Sequence, residues 1–235
     1  ILGPNSQGVN NTSNGLCATL PLVTKQGPLS IVTQSGTIGT AVESWIADDN
    51  IGIAKLAVLG NKSDIDETDL IDYLADDDET GVIGLYLDGV EKGRKFLEVA
   101  ENAVENKPVV VLKGGRTDRG AEAIKSHTHS EAGKYEIFKS ACDQAGVVLT
   151  ESIGEFYNVC KGLSSLKQPE GKETVIITSS GGSGILALDA AEGLDVDLID
   201  LPDKAVERLD ETLPCQCILN NPLDLSGSAN AEMYD

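Results

Sequence analysis

The amino-acid sequence predicts an α/β protein built from two flavodoxin-like lobes, each a doubly wound parallel sheet, with the second lobe truncated. From residue 27 onward, short apolar runs alternate with amphipathic stretches, which is the pattern of parallel strands wrapped by helices. A polar stretch with proline and glycine at residues 167–172 interrupts the alternation, which then restarts. Such a stretch is typical of a linker between domains. Because few elements follow it, we expect an incomplete second sheet.

Apolar runs and amphipathic stretches locate the elements of the first lobe. The predicted strands cover residues 29–33, 55–59, 82–87, 109–112 and 147–149. The predicted helices begin near Thr37, Asp66, Gly93 and Gly133, and a last helix spans residues 153–166. On the first helix, one apolar stripe predicts core contacts for Ile38, Val42, Trp45 and Ile46.

These elements divide the chain into four segments. We assign residues 1–25 to the tail of a preceding domain, 26–166 to the first lobe, 167–172 to a linker and 173–235 to the second lobe. Within the second lobe, the patterns predict strands at 174–178 and 196–199, a helix from Ser183 onward and another helix at 202–213.

The charge balance excludes two classes of partner. The chain has 38 acidic and 18 basic residues, for a formal net charge of -20, and such a charge repels nucleic-acid phosphates and anionic membranes. We therefore expect neither nucleic acid nor a membrane as a partner. The acidic excess suits a cytoplasm of high salt concentration, where screening weakens self-repulsion, and we hypothesise a halophilic source such as a halophilic archaeon.

The sequence is typical of a cytoplasmic protein. No apolar run approaches the roughly 20 residues needed to cross a bilayer, and the first residues lack the regions of a signal peptide. The five cysteines are scattered without a C-x-x-C pair, so we predict no disulfide framework and no zinc site. Cys142 and Cys160 fall in apolar helical patterns and are expected in the core. Since the first residue is not Met, we expect a longer protein.

Two glycine-rich turns are the candidate ligand sites. They cover residues 33–39 and 178–184, and each follows the first strand of its lobe and precedes a helix. In open parallel sheets, ligands bind at the carboxyl ends of strands, where the amides and dipole of a helix N-terminus attract anions. One such turn is a weak signal, because serine and glycine also cap helices without binding anything. Two of them together predict an anion site.

Two familiar nucleotide motifs do not fit this sequence. Residues 115–120 have the glycine spacing of a P-loop, but Ala121 stands where the lysine is required. No G-x-G-x-x-G follows a strand, so the sequence does not predict a dinucleotide site.

Both histidines, His127 and His129, fall in one polar segment at residues 125–133. Because this segment follows a predicted strand, we predict a loop at the carboxyl end of the sheet. One interpretation is a solvated loop with two exposed histidines, and a second is a His-x-His metal chelate, although no third ligand is evident nearby. In the third interpretation, an imidazole nitrogen attacks a phosphoryl group and holds it for transfer, and the two helix N-termini stabilise the phosphate.

A phosphate-carrying histidine works best when a carboxylate holds its other ring nitrogen, because this fixes the tautomer and raises the nucleophilicity. Asp88 follows the predicted strand at 82–87 and is the best candidate for that carboxylate. The alternative is a turn aspartate before Gly89, which is common. Position alone leaves this choice open.

With these residues identified, the chain resembles the NDP-forming acyl-CoA synthetases, being most similar to the ADP-forming acetyl-CoA synthetases and more distantly to succinyl-CoA synthetase. The resemblance spans nearly the whole chain, and its motifs occur in the order of the family. The matching stretches are Gly3-Pro4-Asn5, Gln34-Ser35-Gly36-Thr37, Leu59-Gly60-Asn61-Lys62, Tyr86-Leu87-Asp88-Gly89-Val90, Ser126-His127-Thr128, Ser180-Gly181-Gly182-Ser183-Gly184 and Asn221-Pro222-Leu223-Asp224.

The resemblance implies two lobes of the succinyl-CoA synthetase type and a reversible ligase reaction. Acyl-CoA, phosphate and ADP give the free acid, CoA and ATP through an acyl phosphate and a phosphorylated histidine, which His127 matches. Asp88 matches the position at which the family usually places a glutamate against that histidine. The two helix starts that face the phosphate in the family are matched by Ser35, Gly36 and Thr37 and by Gly182, Ser183 and Gly184.

The resemblance also implies partners. A CoA-binding domain would precede residue 1, and an ATP-grasp domain would follow or belong to a partner subunit, with Mg²⁺ bound there beside the nucleotide. We expect no tightly bound cofactor on this chain, acetyl-CoA as the acyl-CoA, an oligomeric assembly, and no turnover by this chain alone.

Three positions depart from the family pattern. Asp88 is one methylene shorter than glutamate, His129 replaces a glycine, and Glu131 replaces an apolar residue. Two other functions stay open. One is a synthetase-like region that regulates a protein lysine acetyltransferase, although such regions commonly lose the histidine. The other is a non-catalytic module that uses the two turns to hold an anion.

Overall fold

A computed structural model describes residues 1–19, 23–128, 133–167 and 169–234, without the side chains of His127 and Thr128. The chain forms two compact units that divide after Lys167, inside the predicted linker. Among the described residues, no helix is both long enough and apolar enough to span a membrane.

The first unit contains a seven-stranded sheet. Its strands are β1 (Gly8–Asn11), β2 (Leu16–Ala18), β3 (Gln26–Thr33), β4 (Ile53–Val58), β5 (Val82–Leu87), β6 (Val109–Lys113) and β7 (Val148–Thr150). They lie in the order β2-β1-β4-β3-β5-β6-β7, in which β3 to β7 are parallel and β1 and β2 are antiparallel additions at one edge. The order of the five parallel strands is that of flavodoxin, and all five predicted strands of this lobe are confirmed.

Helices cover both faces of this sheet. They are α1 (Gly36–Asp48), α2 (Glu67–Ala75), α3 (Gly93–Val104), α4 (Asp118–Thr128), α5 (Tyr135–Ala145) and α6 (Ile153–Ser165). Side chains of α1 and α6 form the core on one face, and side chains of α2, α3 and α5 form it on the other. The chain therefore leaves β3 and β5 towards opposite faces, which opens a crevice between the carboxyl ends of these two strands.

The apolar stripe on α1 faces the core, with Ile38 partly buried and Trp45 exposed. Val42 and Ile46 are almost completely buried against the sheet, whereas Trp45 is 36% exposed. The Trp45 ring instead meets the ring of Tyr157 edge-on, with 5.4 Å between centroids. The prediction of a core position was therefore wrong for Trp45, because it lies at the border of the stripe, over α6. Cys142 and Cys160 are buried, as predicted, and both are free thiols.

The N-terminal segment packs within the first unit. β1 pairs with β4 along its whole length, and Asn61 N donates a hydrogen bond to Pro4 O at 2.9 Å. A Cβ on Gly60 would lie 2.2 Å from the same oxygen. The first compact unit therefore includes residues 1–25, and their assignment to the tail of a preceding domain stays a prediction. Two edge strands of four and three residues are too short to show an alternating pattern.

The second unit consists of short strands and two helices. Its elements are β8 (Glu173–Thr174), β9 (Ile177–Thr178), α7 (Gly181–Ala191), β10 (Asp197–Leu198), α8 (Asp203–Thr212), β11 (Ile218–Leu219), β12 (Leu223–Asp224) and a 3₁₀ turn at Ala231–Met233. β8 pairs with β10, and β12 pairs with β9 and β11.

The strand predicted at 174–178 is divided into β8 and β9. Asn221 Oδ1 accepts a hydrogen bond from Ile176 N at 3.0 Å, and Asn221 Nδ2 donates to Thr174 O at 2.9 Å and to Ile199 O at 2.8 Å. A side chain thus binds backbone groups that a neighbouring strand would otherwise pair.

Candidate active site

The first glycine-rich turn carries the chain from β3 into α1. Ser35 is the N-cap of α1, because its hydroxyl accepts a hydrogen bond from Ile38 N at 3.4 Å. Thr33 Oγ1 donates to Ser35 O at 2.7 Å and closes the turn. The first turn of α1 contains no acidic side chain, so no carboxylate within it offsets the positive end of the helix dipole. The helix start predicted near Thr37 is confirmed.

Gln7 of the N-terminal segment lies against this helix start. Thr40 Oγ1 donates a hydrogen bond to Gln7 Oε1 at 3.0 Å. A Cβ on Gly36 would lie 2.6 Å from Gln7 Cδ, so glycine at this position makes room for the glutamine. The sequence does not predict this contact, since Gln7 falls in the segment assigned to the tail of a preceding domain.

The second glycine-rich turn, from β9 into α7, has the same local structure as the first. Ser180 is the N-cap of α7, and its hydroxyl accepts from a first-turn amide at 3.4 Å. Thr178 Oγ1 donates to Ser180 O at 3.0 Å, and Gly184 N donates to the same oxygen at 3.0 Å. Ser180 therefore corresponds to Ser35, and the predicted phosphate ligands at 182–184 follow it in the first turn of α7.

A shared pattern, Thr-x-Ser-Gly-x-x-Gly, explains this likeness. In both turns the threonine ends a strand, and the last glycine packs the helix onto that threonine. A Cβ on Gly39 would lie 2.8 Å from Thr33 Cγ2, and one on Gly184 would lie 3.2 Å from Thr178 Cγ2. Each helix N-terminus is therefore held close to the end of its strand.

Asp88 lies directly after β5, at the crevice, and is only 6% exposed. Gln34 Oε1 accepts a hydrogen bond from Asp88 N at 2.9 Å, and Lys113 Nζ donates to Asp88 O. Tyr86 Oη donates to Asp88 Oδ1 at 2.9 Å. The main chain and one carboxylate oxygen of Asp88 are thus held by three neighbouring side chains.

Lys113 places a buried ammonium group beside Asp88. Its side chain, at the end of β6, is almost fully buried, and its Nζ also donates to Gly114 O at 2.6 Å. Burial lowers the pKa of Lys113 to about 8, the Asp88 carboxylate opposes this shift, and Lys62 adds to it. A cation and a carboxylate therefore share this end of the sheet.

Helix α4, which carries His127, comes close to the Asp88 end of the sheet through Ile124. Gly114 marks this approach, because a Cβ there would lie 2.9 Å from Tyr86 Oη, 3.0 Å from Asp88 Oδ1 and 3.6 Å from Ile124 Cδ1. Position 127 follows Ile124 by three residues, nearly one helical turn, and so lies on the same face of α4. That face is the one that includes Ile124, near Gly114 and the Asp88 end of β5.

The loop predicted at residues 125–133 is partly a helix. Residues 125–128 form the last turn of α4, so the loop prediction was wrong for them. Lys125 and Ser126 are exposed on the polar side of the helix. The composition of such a polar helix surface resembles that of a loop, so the sequence alone does not distinguish the two. His129 and Glu131 lie outside the described residues, and a contact between His127 and Asp88 stays a prediction.

Sequence reasoning assigned no role to four side chains around Asp88: Gln34, Lys62, Tyr86 and Lys113. Lys62 Nζ donates to Gly89 O at 2.7 Å, next to the main chain of Asp88. The available signal was a lysine at or just beyond the end of an apolar strand, where burial is expected and a charge is costly. No comparable signal marked Gln34 or Tyr86.

Metal ligands do not cluster in the described part of the chain. There, no group of three or more His, Cys, Asp or Glu side chains is arranged to hold a metal ion. The side chains of His127 and His129 are not among those described.

Comparison with known proteins identifies related sequences along the whole chain. The chain is 40% identical to acetate–CoA ligase [ADP-forming] I subunit alpha from Pyrococcus furiosus, over 100% of this chain and 51% of that protein. It is 39% identical to acetate–CoA ligase [ADP-forming] I from Archaeoglobus fulgidus, over 100% of this chain and 34% of that protein. The chain thus spans about half or less of the length of these curated relatives.

The fold has a solved counterpart. A dinucleotide-forming acetyl-coenzyme A synthetase 1 from Ca. Korarchaeum cryptofilum, in complex with phosphate and ADP, superimposes with a TM-score of 0.91 at 35% identity, over 99% of this chain and 51% of that one. A Methanosaeta concilii ATP citrate lyase shares the fold at a TM-score of 0.54 and 13% identity, over 86% of this chain and 37% of that one. Residues 26–163 match the model of the succinyl-CoA ligase-like flavodoxin domain. The chain therefore belongs to the succinyl-CoA ligase-like flavodoxin domain family.

Proposed function

We propose that this chain is the histidine-bearing part of an ADP-forming acyl-CoA synthetase that acts on acetyl-CoA. The whole protein would convert acetyl-CoA, phosphate and ADP into acetate, CoA and ATP, and His127 would carry the phosphoryl group between acetyl phosphate and ADP. The names of the relatives support this reaction class, since they are ADP-forming acetate–CoA ligases.

One observation from the structure carries the proposal. At Gly114, the helix that bears His127 comes close to the end of β5 that precedes Asp88: a Cβ on Gly114 would lie within 4 Å of both Ile124 Cδ1 and Asp88 Oδ1. A phosphate-accepting histidine needs an oriented imidazole and a carboxylate within reach. The approach of α4 to Asp88 at Gly114 supports such an arrangement.

Each residue has a role in the proposed reaction. A nitrogen of His127 attacks the phosphorus of acetyl phosphate, acetate leaves, and the Asp88 carboxylate stabilises the charged ring. The helix starts at Ser35, Gly36 and Thr37 and at Gly182, Ser183 and Gly184 offer amides and helix dipoles to the phosphate oxygens.

The rest of the enzyme lies in other domains. We propose a CoA-binding domain and an ATP-grasp domain, in the same chain or in a partner subunit, with Mg²⁺ bound beside the nucleotide on the ATP-grasp domain, and an oligomeric assembly. The Pyrococcus furiosus relative is named as a subunit alpha, which supports an assembly of this kind.

The test is phosphorylation of the complete protein with γ-labelled ATP. We expect an acid-labile, base-stable label in the wild type and in His129→Ala, and no label in His127→Ala. His129→Ala is the matched control, because it removes the other histidine of the chain. A label that persists in His127→Ala would refute the assignment, and so would a wild type that takes up no label.

A further inference from the structure

The Asp88 carboxylate is held by one side chain. Among the described residues, Tyr86 Oη is the group that donates a hydrogen bond to this carboxylate, at 2.9 Å, and it does so to Oδ1. Tyr86 and Asp88 are two residues apart along an extended chain, so their side chains lie on the same side of the sheet. The second carboxylate oxygen, Oδ2, receives no hydrogen bond from the part of the chain that the structure describes.

Tyr86 is well suited to hold a carboxylate. Its ring packs against the core formed by α1 and α6, which limits the positions that its hydroxyl can take. Burial and the neighbouring Asp88 carboxylate raise the pKa of Tyr86 above its ordinary value. The phenol therefore keeps its proton and acts as a donor throughout the neutral pH range.

The main chain around the pair is also held. Gln34 Oε1 accepts from the amides of Asp88 and Gly89, at 2.9 and 3.3 Å, and Lys113 Nζ donates to Asp88 O. With the backbone bound on both sides, rotation about the side-chain bonds is the remaining freedom of Asp88. The hydroxyl of Tyr86 removes that freedom.

Gly114 gives the pair its space. A Cβ at this position would lie 2.9 Å from Tyr86 Oη and 3.0 Å from Asp88 Oδ1, closer than ordinary contacts. An alanine there would displace the hydroxyl or the carboxylate while leaving both in the protein. The same point lies against Ile124, on the face of α4 that includes position 127.

We propose that Tyr86 is a positioning residue that turns the Asp88 carboxylate so that its second oxygen accepts a hydrogen bond from the imidazole of His127. This inference rests on the proposed function, in which His127 carries the phosphoryl group. Asp88 is one methylene shorter than glutamate, so its reach is short. A fixed orientation therefore matters more for Asp88 than it would for a longer and more flexible side chain.

The experiment measures the single-turnover rate of His127 phosphorylation in the complete protein. We expect Tyr86→Phe to lower this rate about 10–100-fold, as expected for a lost hydrogen bond to a charged group, with little change in the KM for acetyl-CoA. Gly114→Ala should lower the rate in the same direction. Tyr73→Phe is the matched control, because it removes a hydroxyl from an exposed tyrosine on α2, and it should leave the rate unchanged.

A double-mutant cycle separates positioning from a structural role. If Tyr86 acts through the carboxylate, Tyr86→Phe should have almost no further effect in an Asp88→Asn background. A wild-type rate in Tyr86→Phe would overturn the inference, and so would effects of Tyr86→Phe and Asp88→Asn on the rate that simply multiply. In either case a label on His127 would leave the proposed function intact. A wild-type protein that takes up no label at His127 would overturn both the inference and the proposed function.

Discussion

Lys62 Nζ lies 2.9 Å from Glu67 Oε2, and the side chains of both residues are almost completely buried. This ion pair joins the loop after β4 to the start of α2, and Lys62 also donates to Gly89 O at 2.7 Å. Breaking a buried pair leaves an uncompensated charge. We expect Lys62→Met to destabilise the full chain by about 3–5 kcal/mol.

The double variant Lys62→Met/Glu67→Leu is the control for this prediction, because it removes both charges. It should recover much of the loss, which urea denaturation can measure at pH 7. An exposed ion pair usually contributes no more than about 1 kcal/mol. If the free energy of unfolding of Lys62→Met is within about 1 kcal/mol of the wild-type value, the pair is not buried as described.

Lys113 should make stability depend on pH in the alkaline range. Its pKa of about 8 in the folded chain lies below its ordinary value of 10.5. Below pH 8, Lys113 is protonated in both the folded and the unfolded state, so the full free-energy cost of burying its charge is present. Between pH 8 and 10.5 the folded state releases its proton first, so the cost declines and stability rises with pH.

The measurement is urea denaturation of the wild type and of Lys113→Met at several pH values between 7 and 10. Other groups that titrate in this range contribute equally to both proteins, so the difference between them reports on Lys113. We expect the wild type to gain stability relative to the variant as pH rises. Two curves that stay parallel over this range would contradict the burial of a charged Lys113.

Glu43 is a buried carboxyl group on α1 that should cost stability at neutral pH. It is 1% exposed, its Oε1 has no hydrogen-bond partner among the described residues, and burial raises its pKa from 4.5 to about 7. The folded state therefore retains a proton that the unfolded chain loses, and stability declines as pH rises from 4.5 through 7.

We expect Glu43→Gln to be more stable than the wild type at pH 8, by on the order of 2–3 kcal/mol, and equal to it near pH 4. Thermal or urea unfolding at both pH values measures the difference. Glu98→Gln, on the exposed side of α3, serves as the control and should show no such trend. A Glu43→Gln variant that loses stability at pH 8 would show that the carboxylate has a partner.

Gly60 tests the docking of the N-terminal segment. Its φ is +58°, and a Cβ there would lie 2.2 Å from Pro4 O. We expect Gly60→Ala to cost more than about 1 kcal/mol, because alanine disfavours this backbone conformation and also displaces the segment. Gly93→Ala, at the start of α3 with open space around it, should be neutral or stabilising by urea denaturation.

The acidic surface should make stability depend on salt. The net charge is -20, and one surface cavity of about 730 Å³ is lined by the carboxylates of α2 and the following loop with Lys55 as its one basic residue. Salt screens repulsion between exposed charges. We expect the melting temperature to rise from 0.1 to about 2 M KCl, and a flat or falling trend would remove the reason to propose a halophilic source.

The sequence by itself determined the parallel sheet of the first lobe and the edge of the sheet at which chemistry is expected. Apolar runs and helical periodicity are local signals, and the strands at 29–33 and 82–87 were identified from them. The carboxyl ends of these strands bear the Ser35 turn and Asp88, so both residues could be named from the pattern alone. The helix start at Ser180 followed in the same way, from an apolar strand and a glycine-rich turn.

Only the tertiary structure decided what surrounds those residues. Three strands contribute side chains around Asp88: Gln34 follows β3, Tyr86 lies in β5 and Lys113 ends β6. They meet at Asp88 because β3, β5 and β6 are adjacent in the sheet. Gln7 reaches the start of α1 from an edge segment that carries almost no pattern of its own. Such contacts depend on strand order and on the space that a glycine leaves, and neither quantity is encoded in the spacing of residues along the chain.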